Sequence, residues 1–213
     1  MPLTKLILHK RYAERIGKKR WTLRFAPGVN LLIGPNGSGK STVVECLREE
    51  VLVKEKRDRW GGLKRDQKRY ATWDFDGGPM PIFYFDFEKD NPRVGEIGSL
   101  EDFGAIKRMS MSWKYKALSH GQFTKDVLKE LETKASNGKM PFVVMDEPEQ
   151  ALDLDGLRQL HRVLTVIPMQ GVVATHHPFL IADPSFNCIE TRAGYRDEVL
   201  AALRNVATHP LTS

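Results

Sequence analysis

The sequence contains little cysteine and no long apolar run. Only Cys46 and Cys188 occur, and no Cys/His spacing is typical of zinc sites. A disulfide framework and a structural zinc site are therefore not expected, and a reducing cytoplasm fits. No apolar run approaches the roughly 20 residues that a membrane-spanning helix needs, and Met1 to Lys10 alternates like a strand rather than a signal peptide. We expect a cytoplasmic protein without a membrane span of its own.

Internal repeats, low-complexity tracts, coiled-coil heptads and nuclease motifs are also missing. A chain of 213 residues, 41% of them hydrophobic, can bury one sizeable core. We expect a single domain over residues 1–213. Inserted loops and a helical lobe are expected at about residues 55–120, where glycine, proline and charged residues are frequent.

Basic residues are in excess, and their distribution is uneven. The net charge is +6, and Lys54 to Arg69 holds eight basic residues against three acids. Such a stretch can attract DNA or RNA phosphates or an acidic partner, and Trp60 within it can stack on a base. A solvated surface loop is the alternative interpretation, and the sequence leaves both open.

Strand-like apolar runs alternate with helical patterns, which indicates an α/β sheet that is parallel at its centre. The predicted strands are Thr4 to Leu8, Trp21 to Phe25, Val29 to Ile33, Ile82 to Phe87, Phe142 to Met145, Gly171 to Thr175 and Asn187 to Glu190. The predicted helices are Lys40 to about Val51, His120 to Ala135, Gly156 to Val166 and Arg196 to about Val206.

The segment LLIGPNGSGKST places a glycine-rich turn between a buried-type strand and a helix, and it fits the phosphate-binding P-loop pattern. Glycines let backbone N–H groups turn inward around a phosphate, and the helix start favours the same anion. In such a loop Lys40 reaches the β- and γ-phosphate oxygens, and the Ser41 hydroxyl binds Mg²⁺. The expected nucleotide-binding residues are Asn36, Gly37, Ser38, Gly39, Lys40, Ser41 and Thr42.

Two further apolar strands end in polar residues. FVVMDEPEQALD ends its strand in Asp146 and Glu147, so we expect Asp146 to hold Mg²⁺ and Glu147 to orient or deprotonate the attacking water. VVATHHPFL ends its strand at the same sheet edge, and His176 is the expected γ-phosphate contact. His177, or neither histidine, is the alternative.

Five ordered segments resemble the ATP-binding-cassette (ABC) class of P-loop ATPases. They are GPNGSGKST as Walker A, LSHGQ as signature, VVMDEP as Walker B, ALD as D-loop and ATHHP as switch-histidine motif. The resemblance implies ATP hydrolysis with ATP and Mg²⁺ as cofactors. It also implies a P-loop NTPase fold with a mostly parallel central sheet, an N-terminal antiparallel β portion and a small helical signature lobe.

The same resemblance assigns a role in trans to LSHGQ. In this family the signature residues, here Ser119, Gly121 and Gln122, act on the other subunit of a head-to-tail dimer, where the serine and glycine contact the γ-phosphate of its ATP. The D-loop residue Asp153 would then lie at the interface and couple the two sites. Ser119 is also a natural N-cap, so an ordinary helix start is the alternative interpretation. His120 stands where the family usually has glycine.

Neither subunit of such a dimer completes its own site, so ATP would join the subunits and hydrolysis would release them. Two parts of the family pattern are not clear in this sequence. The Q-loop glutamine is either Gln67 or replaced by an acid, Asp86 or Glu88, at the end of PIFYFDFEKDNPR. For the aromatic residue that stacks on adenine, Tyr12 is a candidate, and core packing is an equally good interpretation for Trp21.

The motifs DEPE and THHPFLI resemble those of small stand-alone ATPases related to the SMC-like, RecF-like and overcoming-lysogenization-defect groups. These act in DNA repair, toxin or anti-phage systems, so the resemblance implies a nuclease-type or toxin-type effector on another chain. Transporter subunits usually have a basic segment after the signature, whereas this chain has GQFTKDVLKEL. A transporter subunit and a module that uses ATP only as a structural ligand are the alternatives.

Overall fold

The computed structural model describes residues 3–48, 71–75, 82–86, 119–136 and 142–208, and these form eight strands and six helices. The strands are β1 Leu3–His9, β2 Arg20–Arg24, β3 Val29–Ile33, β4 Ala71–Phe75, β5 Ile82–Asp86, β6 Phe142–Asp146, β7 Gly171–Ala174 and β8 Asn187–Glu190. The helices are α1 Lys10–Arg15, α2 Lys40–Cys46, α3 His120–Ser136, α4 Leu154–Val166, α5 Pro178–Ala182 and α6 Tyr195–Thr208.

Five parallel strands form the central sheet in the order β5-β6-β7-β3-β8. Strand β3 is buried along its whole length, because apolar side chains cover both faces of the sheet. Leu31 and Ile33 pack on one face with residues of α3 and α4, whereas Leu32 packs on the other face with residues of α1, α2 and β1. The predicted α/β class with a mostly parallel sheet is therefore confirmed.

Strands β2, β1 and β4 form a separate antiparallel sheet, as predicted for the N-terminal portion. Its inner side chains include Leu6, Leu8 and Leu23, which belong to the same apolar cluster as α2. Gln170 joins the two sheets, because its amide accepts from the backbone N–H of Leu3 at 2.6 Å and donates to the Leu3 carbonyl at 2.9 Å. The antiparallel sheet is thus fixed beside the P-loop helix.

Three elements were not predicted: α1, β4 and α5. The insertion expected at about residues 55–120 lies outside the described residues, apart from β4, β5 and the start of α3. The basic stretch Lys54 to Arg69 lies outside them as well, and the single-domain assignment stays a prediction. In the part of the chain that is described, no helix has the length and apolarity to span a membrane.

Helix α4 is attached to the segment after α5 through Asp183. The ring of His161 is hydrogen-bonded to the Asp183 carboxylate, whose other oxygen accepts from the backbone N–H of Ser185 at 2.7 Å. Burial raises the pKa of Asp183, but the hydrogen bonds from His161 and Ser185 outweigh this and lower the pKa to about 2. The contacts therefore favour the ionised carboxylate.

The depressed pKa of Asp183 predicts an acid-sensitive contribution to stability. A carboxyl group with a lowered folded-state pKa stabilises the fold above its unfolded pKa of about 3.8, and this contribution is lost as the pH falls towards about 2. The difference in unfolding free energy between wild type and Asp183→Asn should therefore become smaller as the pH falls from about 3.8 to about 2. Urea unfolding at steps between pH 5 and pH 2 measures this, and a constant difference would contradict the assignment.

Candidate functional site

The P-loop follows β3 and is braced by two neighbouring segments. A side chain at Gly39, whose φ is +99°, would place its Cβ 2.4 Å from the Ile16 side chain. A Cβ at Gly34 would lie 1.8 Å from Thr191 Oγ1, which itself lies 2.6 Å from Ser38 Oγ. Glycine is required at both positions because these side chains occupy the space. Thr191, which follows β8, was not singled out from the sequence.

Lys40 is the first residue of α2, and its side chain folds back over the loop. Its ammonium group donates to the carbonyl oxygens of Gly34 at 2.9 Å and of Pro35 at 3.2 Å. Burial lowers the pKa of Lys40, and the carboxylates of Glu147, Asp146 and Glu149 act in the opposite direction. The carboxylates thus favour the charged form of Lys40, and a charged ammonium group can form charge-assisted hydrogen bonds with a phosphate that enters the site.

A pocket of about 460 Å³ lies over the P-loop. Eight of the predicted site residues line it: Asn36, Gly37, Gly39, Lys40, Ser41, Thr42, Glu147 and His176. The remaining predicted residues do not line it: Ser38, Asp146, Ser119, Gly121, Gln122 and Asp153. Within the described residues, the structure thus brings Lys40, Ser41, Glu147 and His176 together in one pocket, whereas Asp146 and the signature segment do not line it.

Glu147 lies at the sharp turn after β6, with φ of +47°. Its backbone N–H donates to the Ala174 carbonyl at 2.9 Å, which continues the pairing of β6 with β7 beyond the strand end. One carboxylate oxygen, Oε1, lies 3.1 Å from His176 Nδ1. A carboxylate and a histidine so placed beside Lys40 can accept a proton from water and contact a phosphate oxygen.

Gln150 also lines the pocket and was not predicted from the sequence. Its side-chain amide donates to Oε2 of Glu147, so Gln150 contacts one carboxylate oxygen and His176 the other. The turn that brings Gln150 back over Glu147 depends on the positive φ of Glu147 and on the bond from the Gln150 N–H to the Glu147 carbonyl. The spacing of Glu147 and Gln150 in the sequence does not indicate that the chain turns back at this point.

Removing the Gln150 amide should misplace the Glu147 carboxylate. We expect Gln150→Ala to lower kcat for ATP by roughly 10- to 100-fold, because a small displacement of a reacting group is costly. KM should stay within about twofold, because the phosphate contacts of the P-loop remain. Steady-state kinetics measures both, with Gln159→Ala on α4 as the matched control. A rise in KM at unchanged kcat would assign Gln150 to binding instead.

The switch-histidine segment is held by a buried carboxyl group. Glu149 is 5% exposed, and its Oε1 accepts from the Thr175 hydroxyl at 2.5 Å. The same hydroxyl accepts from the backbone N–H of His177 at 3.0 Å, which fixes the chain on either side of His176. Burial raises the pKa of Glu149, and the hydrogen bond from Thr175 partly offsets this. His177 turns away to cap α5, where its Nδ1 accepts from the Phe179 N–H at 3.3 Å.

The groups predicted to hold Mg²⁺ fit a hard cation. Ser41 provides a hydroxyl in the pocket lining, and Asp146 provides a carboxylate at the end of β6. Asp86 lies opposite Asp146 in the β5–β6 register, and its Oδ2 accepts from the Tyr84 hydroxyl at 2.9 Å. Oxygen ligands of this kind suit Mg²⁺, which neutralises charge on phosphate oxygens when it is bound.

The signature segment forms the start of α3. Ser119 and Gln122 form a reciprocal capping box: the Ser119 N–H donates to Gln122 Oε1 at 2.9 Å, and the Gln122 N–H donates to Ser119 Oγ at 3.3 Å. A Cβ at Gly121 would lie 2.4 Å from the carbonyl oxygen of Ala151 in the D-loop. The signature helix therefore packs closely against the D-loop of its own chain.

Asp153 connects the same two segments. It is the N-cap of α4, where its Oδ1 accepts from the Gly156 N–H at 2.8 Å. Its carboxylate also pairs with Lys125 on α3 at 2.8 Å. The hydrogen bond from Lys125, followed by that from Gly156, lowers the pKa of Asp153. These contacts give Asp153 a role within the chain, and its predicted place at a dimer interface stays a prediction.

The adenine candidate Tyr12 was wrong. Its side chain is fully buried in the core between α1 and β1, so it presents no face to a base. Trp21 is partly buried against the same cluster, in agreement with core packing. Arg15 and Ile16 line the pocket in their place, and Arg15 is held by Glu45 at 2.5 Å.

Of the three Q-loop candidates, Asp86 lies among the described residues. Asp86 is 4% exposed and lies at the carboxyl end of β5, beside the strand that carries Asp146. Gln67 and Glu88 lie outside the described residues. The acid at Asp86 is therefore at the expected sheet edge, and the Q-loop assignment stays a prediction.

Comparison with known proteins points to one family. A family model described as an AAA domain (AAA_23) matches residues 14–143, more than half of the chain. The ATP-binding protein Uup-like of Haemophilus influenzae is 26% identical over 164 residues, which are 74% of this chain and 34% of that protein. The zinc import ATP-binding protein ZnuC of Paracoccus denitrificans is 28% identical over 158 residues, 70% of this chain and 59% of the relative. The chain thus spans about a third of the Uup-like protein.

Similar solved structures have low sequence identity. A nucleotide-free ATP-binding cassette from an ABC transporter aligns at a TM-score of 0.49 with 16% identity, covering 98% of this chain and 96% of that one. The SMC head domain from Thermotoga maritima aligns at 0.43 with 17% identity, covering 89% and 94%.

Proposed function

We propose that the chain, which belongs to the AAA domain family, is an ABC-type P-loop ATPase that uses ATP and Mg²⁺. In this proposal it acts as a switch that closes as an ATP-sandwiched head-to-tail dimer. One observation supports this most directly. Lys40, Glu147 and His176 share a pocket, whereas Ser119 and Gly121 lie outside it, at the start of α3. The groups expected to contact one γ-phosphate are therefore divided between two places on one chain.

The pocket residues divide the chemistry in the proposed reaction. Lys40 binds the β- and γ-phosphate oxygens, and Glu147 accepts the proton of the water that attacks the γ-phosphorus. The water oxygen forms a bond to the γ-phosphorus as the bond between the γ-phosphorus and the β–γ bridging oxygen breaks, and ADP leaves with that oxygen. His176 contacts a γ-phosphate oxygen, and Gln150 keeps the Glu147 carboxylate oriented. Ser119 and Gly121 of the second subunit complete the phosphate contacts.

A dimeric site makes the rate depend on protein concentration. We expect the ATPase rate per chain to rise with concentration until dimerisation is complete, because each site needs residues of two chains. Dilution series at saturating ATP measure this. A constant rate per chain, from nanomolar concentrations upwards, would contradict the dimer and leave the ATPase itself standing.

The proposed role of the switch is to regulate a nucleic-acid process or a bound effector of nuclease or toxin type, as in DNA repair or anti-phage defence. The residues of the motifs DEPE and THHPFLI support this role, because they resemble those of such ATPases. We expect duplex DNA or the effector to change the ATPase rate, because a switch is coupled to what it regulates. Indifference to DNA would exclude direct DNA action. The cytoplasm fits this role, since Cys46 and Cys188 are the only two cysteines of the sequence.

A transporter subunit is the second candidate function. The similarity to the zinc import ATP-binding protein ZnuC favours it. This function would require a membrane permease as partner, so the chain should purify together with a permease in detergent. The segment GQFTKDVLKEL, which differs from the basic segment usual after transporter signatures, counts against it.

A further inference from the structure

The N-terminal antiparallel sheet and α1 carry a concentration of positive charge. Residues 3–24 contain eight basic residues and one acid, a net charge of +7, against +6 for the whole chain. All but one of these basic side chains are exposed. Residues 3–24 thus carry more net positive charge than the whole chain, and the stretch Lys54 to Arg69 has a further excess of eight basic residues over three acids.

Five of these cations have no ionic partner among the described residues. Ion pairs in this segment join Lys5 to Asp74, and Arg11 and Arg15 to Glu45. The other five define what we call the N-terminal basic surface: Lys10, Lys18, Lys19, Arg20 and Arg24. Exposed charges without counter-charges attract polyanions, and release of counterions then favours binding.

The strand pairing arranges several of these groups on one face. Arg20, Thr22 and Arg24 are exposed at alternate positions of β2, whereas Leu23 between them is buried. In the antiparallel register His9 lies opposite Arg20, and Lys5 lies opposite Arg24. Residues opposite each other share a face, so Arg20, Thr22 and Arg24 lie on the outer face with Lys5 and His9. The buried Ile7 lies between these two, and Asp74 of β4 pairs with Lys5 on the same face.

The chemistry of this surface favours phosphates over a membrane or an acidic protein. The exposed large hydrophobic residues of the described chain lie at positions 154, 166, 179, 203 and 206, all outside residues 3–24. Binding in a membrane interface needs apolar anchors, and a protein interface has an apolar or aromatic centre. Phosphate contacts need only basic groups, hydroxyls and backbone donors.

The basic surface is also connected to the nucleotide pocket. Arg15, at the end of α1, lines that pocket, and the next residue, Ile16, packs on Gly39 of the P-loop. The turn at 16–17 then leads directly into Lys18, Lys19 and Arg20. A ligand on this surface therefore lies beside the element that binds ATP phosphates.

From these observations we propose that the N-terminal basic surface binds the phosphate backbone of nucleic acid without reading its sequence. This rests on the proposed function, in which a nucleic-acid process is regulated. It assigns the contact to residues 10–24 and does not require Lys54 to Arg69. Duplex DNA is the probe for which the salt dependence is best defined.

The test compares two triple variants with equal loss of charge. Lys19→Gln/Arg20→Gln/Arg24→Gln removes cations from the surface, and Lys129→Gln/Arg158→Gln/Arg204→Gln removes them from α3, α4 and α6, where they are also exposed. Fluorescence anisotropy with a labelled duplex gives Kd over a range of salt. We expect the first variant to weaken binding at least about tenfold and to reduce the salt slope by about three. The second variant should bind like wild type.

A charge-conserving variant, a lipid control and a dimerisation measurement distinguish the possible results. Lys19→Arg/Arg20→Lys/Arg24→Lys keeps the charge and should keep the slope. Equal weakening by both neutralised variants, or no weakening by either, would overturn the surface assignment. Binding to anionic lipid vesicles but not to DNA would overturn it in favour of a membrane. ATP-dependent dimerisation of wild type is measured on the same samples. If wild type does not dimerise with ATP, the proposed function is refuted, whereas the surface assignment is judged from the DNA binding of the variants.

Discussion

Glu147→Gln is expected to lower kcat for ATP hydrolysis by roughly 10²- to 10⁴-fold, because an amide cannot accept the proton of the attacking water. The side chain keeps its size, so its contacts with Gln150 and His176 can persist in altered form. KM for ATP should change little, because Lys40 and the P-loop still bind the phosphates. A coupled assay for released phosphate measures both constants.

The control for this substitution is Glu14→Gln, which makes the same chemical change on the exposed surface of α1. It should leave kcat unchanged. If Glu147→Gln kept more than about a tenth of the wild-type kcat, Glu147 would not be the general base. The base would then have to be sought elsewhere, and the use of ATP as a purely structural ligand would remain excluded by the turnover.

Mixing two inactive chains is expected to restore activity. Lys40→Ala removes the phosphate contact in the pocket, and Ser119→Arg places a large cation at the signature helix start. Each variant alone should be inactive, since both sites of its homodimer lack one part. In a mixed dimer, the Ser119→Arg chain supplies Lys40 and Glu147, and the Lys40→Ala chain supplies Ser119, so one site is complete. With equal amounts the rate should reach about a quarter of wild type, as half the dimers are mixed and have one complete site.

Several outcomes separate a divided site from other arrangements. Activity of Ser119→Arg alone would mean that the signature is not needed, and the site would then be complete within one chain. Absence of recovery, in mixtures shown by native mass spectrometry to contain mixed dimers, would contradict the trans role of Ser119. The matched control mixes Lys40→Ala with Glu147→Gln, whose defects lie in the same pocket, and it should show no recovery.

The central sheet and P-loop could be predicted because their signals are local. Strands β3 and β8 have the predicted bounds. Strand β3 is buried along its whole length, and a strand buried on both faces of a parallel sheet is a mostly apolar run. The meeting of Glu147 and His176 followed from the rule that parallel strands end at one edge of the sheet. Such features depend on a few consecutive residues and on a general rule of topology.

The features that were missed depend on distant contacts or on unusual backbone angles. Strand β4 pairs with β1 across more than sixty residues, a contact for which neither segment carries a signal. Gln150 reaches Glu147 because of a turn with positive φ at Glu147. The N-terminal basic surface was not predicted because buried residues such as Tyr12 and Leu23 separate its cations in the sequence.

The central claim is that ATP joins two chains through LSHGQ, and the solution mass of Glu147→Gln tests it most directly. Light scattering after gel filtration should give 24.3 kDa without nucleotide and twice that mass with Mg²⁺ and ATP. Adding Ser119→Arg should abolish the doubling while ATP binding persists. A mass that stays at 24.3 kDa although ATP is bound, or a doubling that survives Ser119→Arg, would contradict the account.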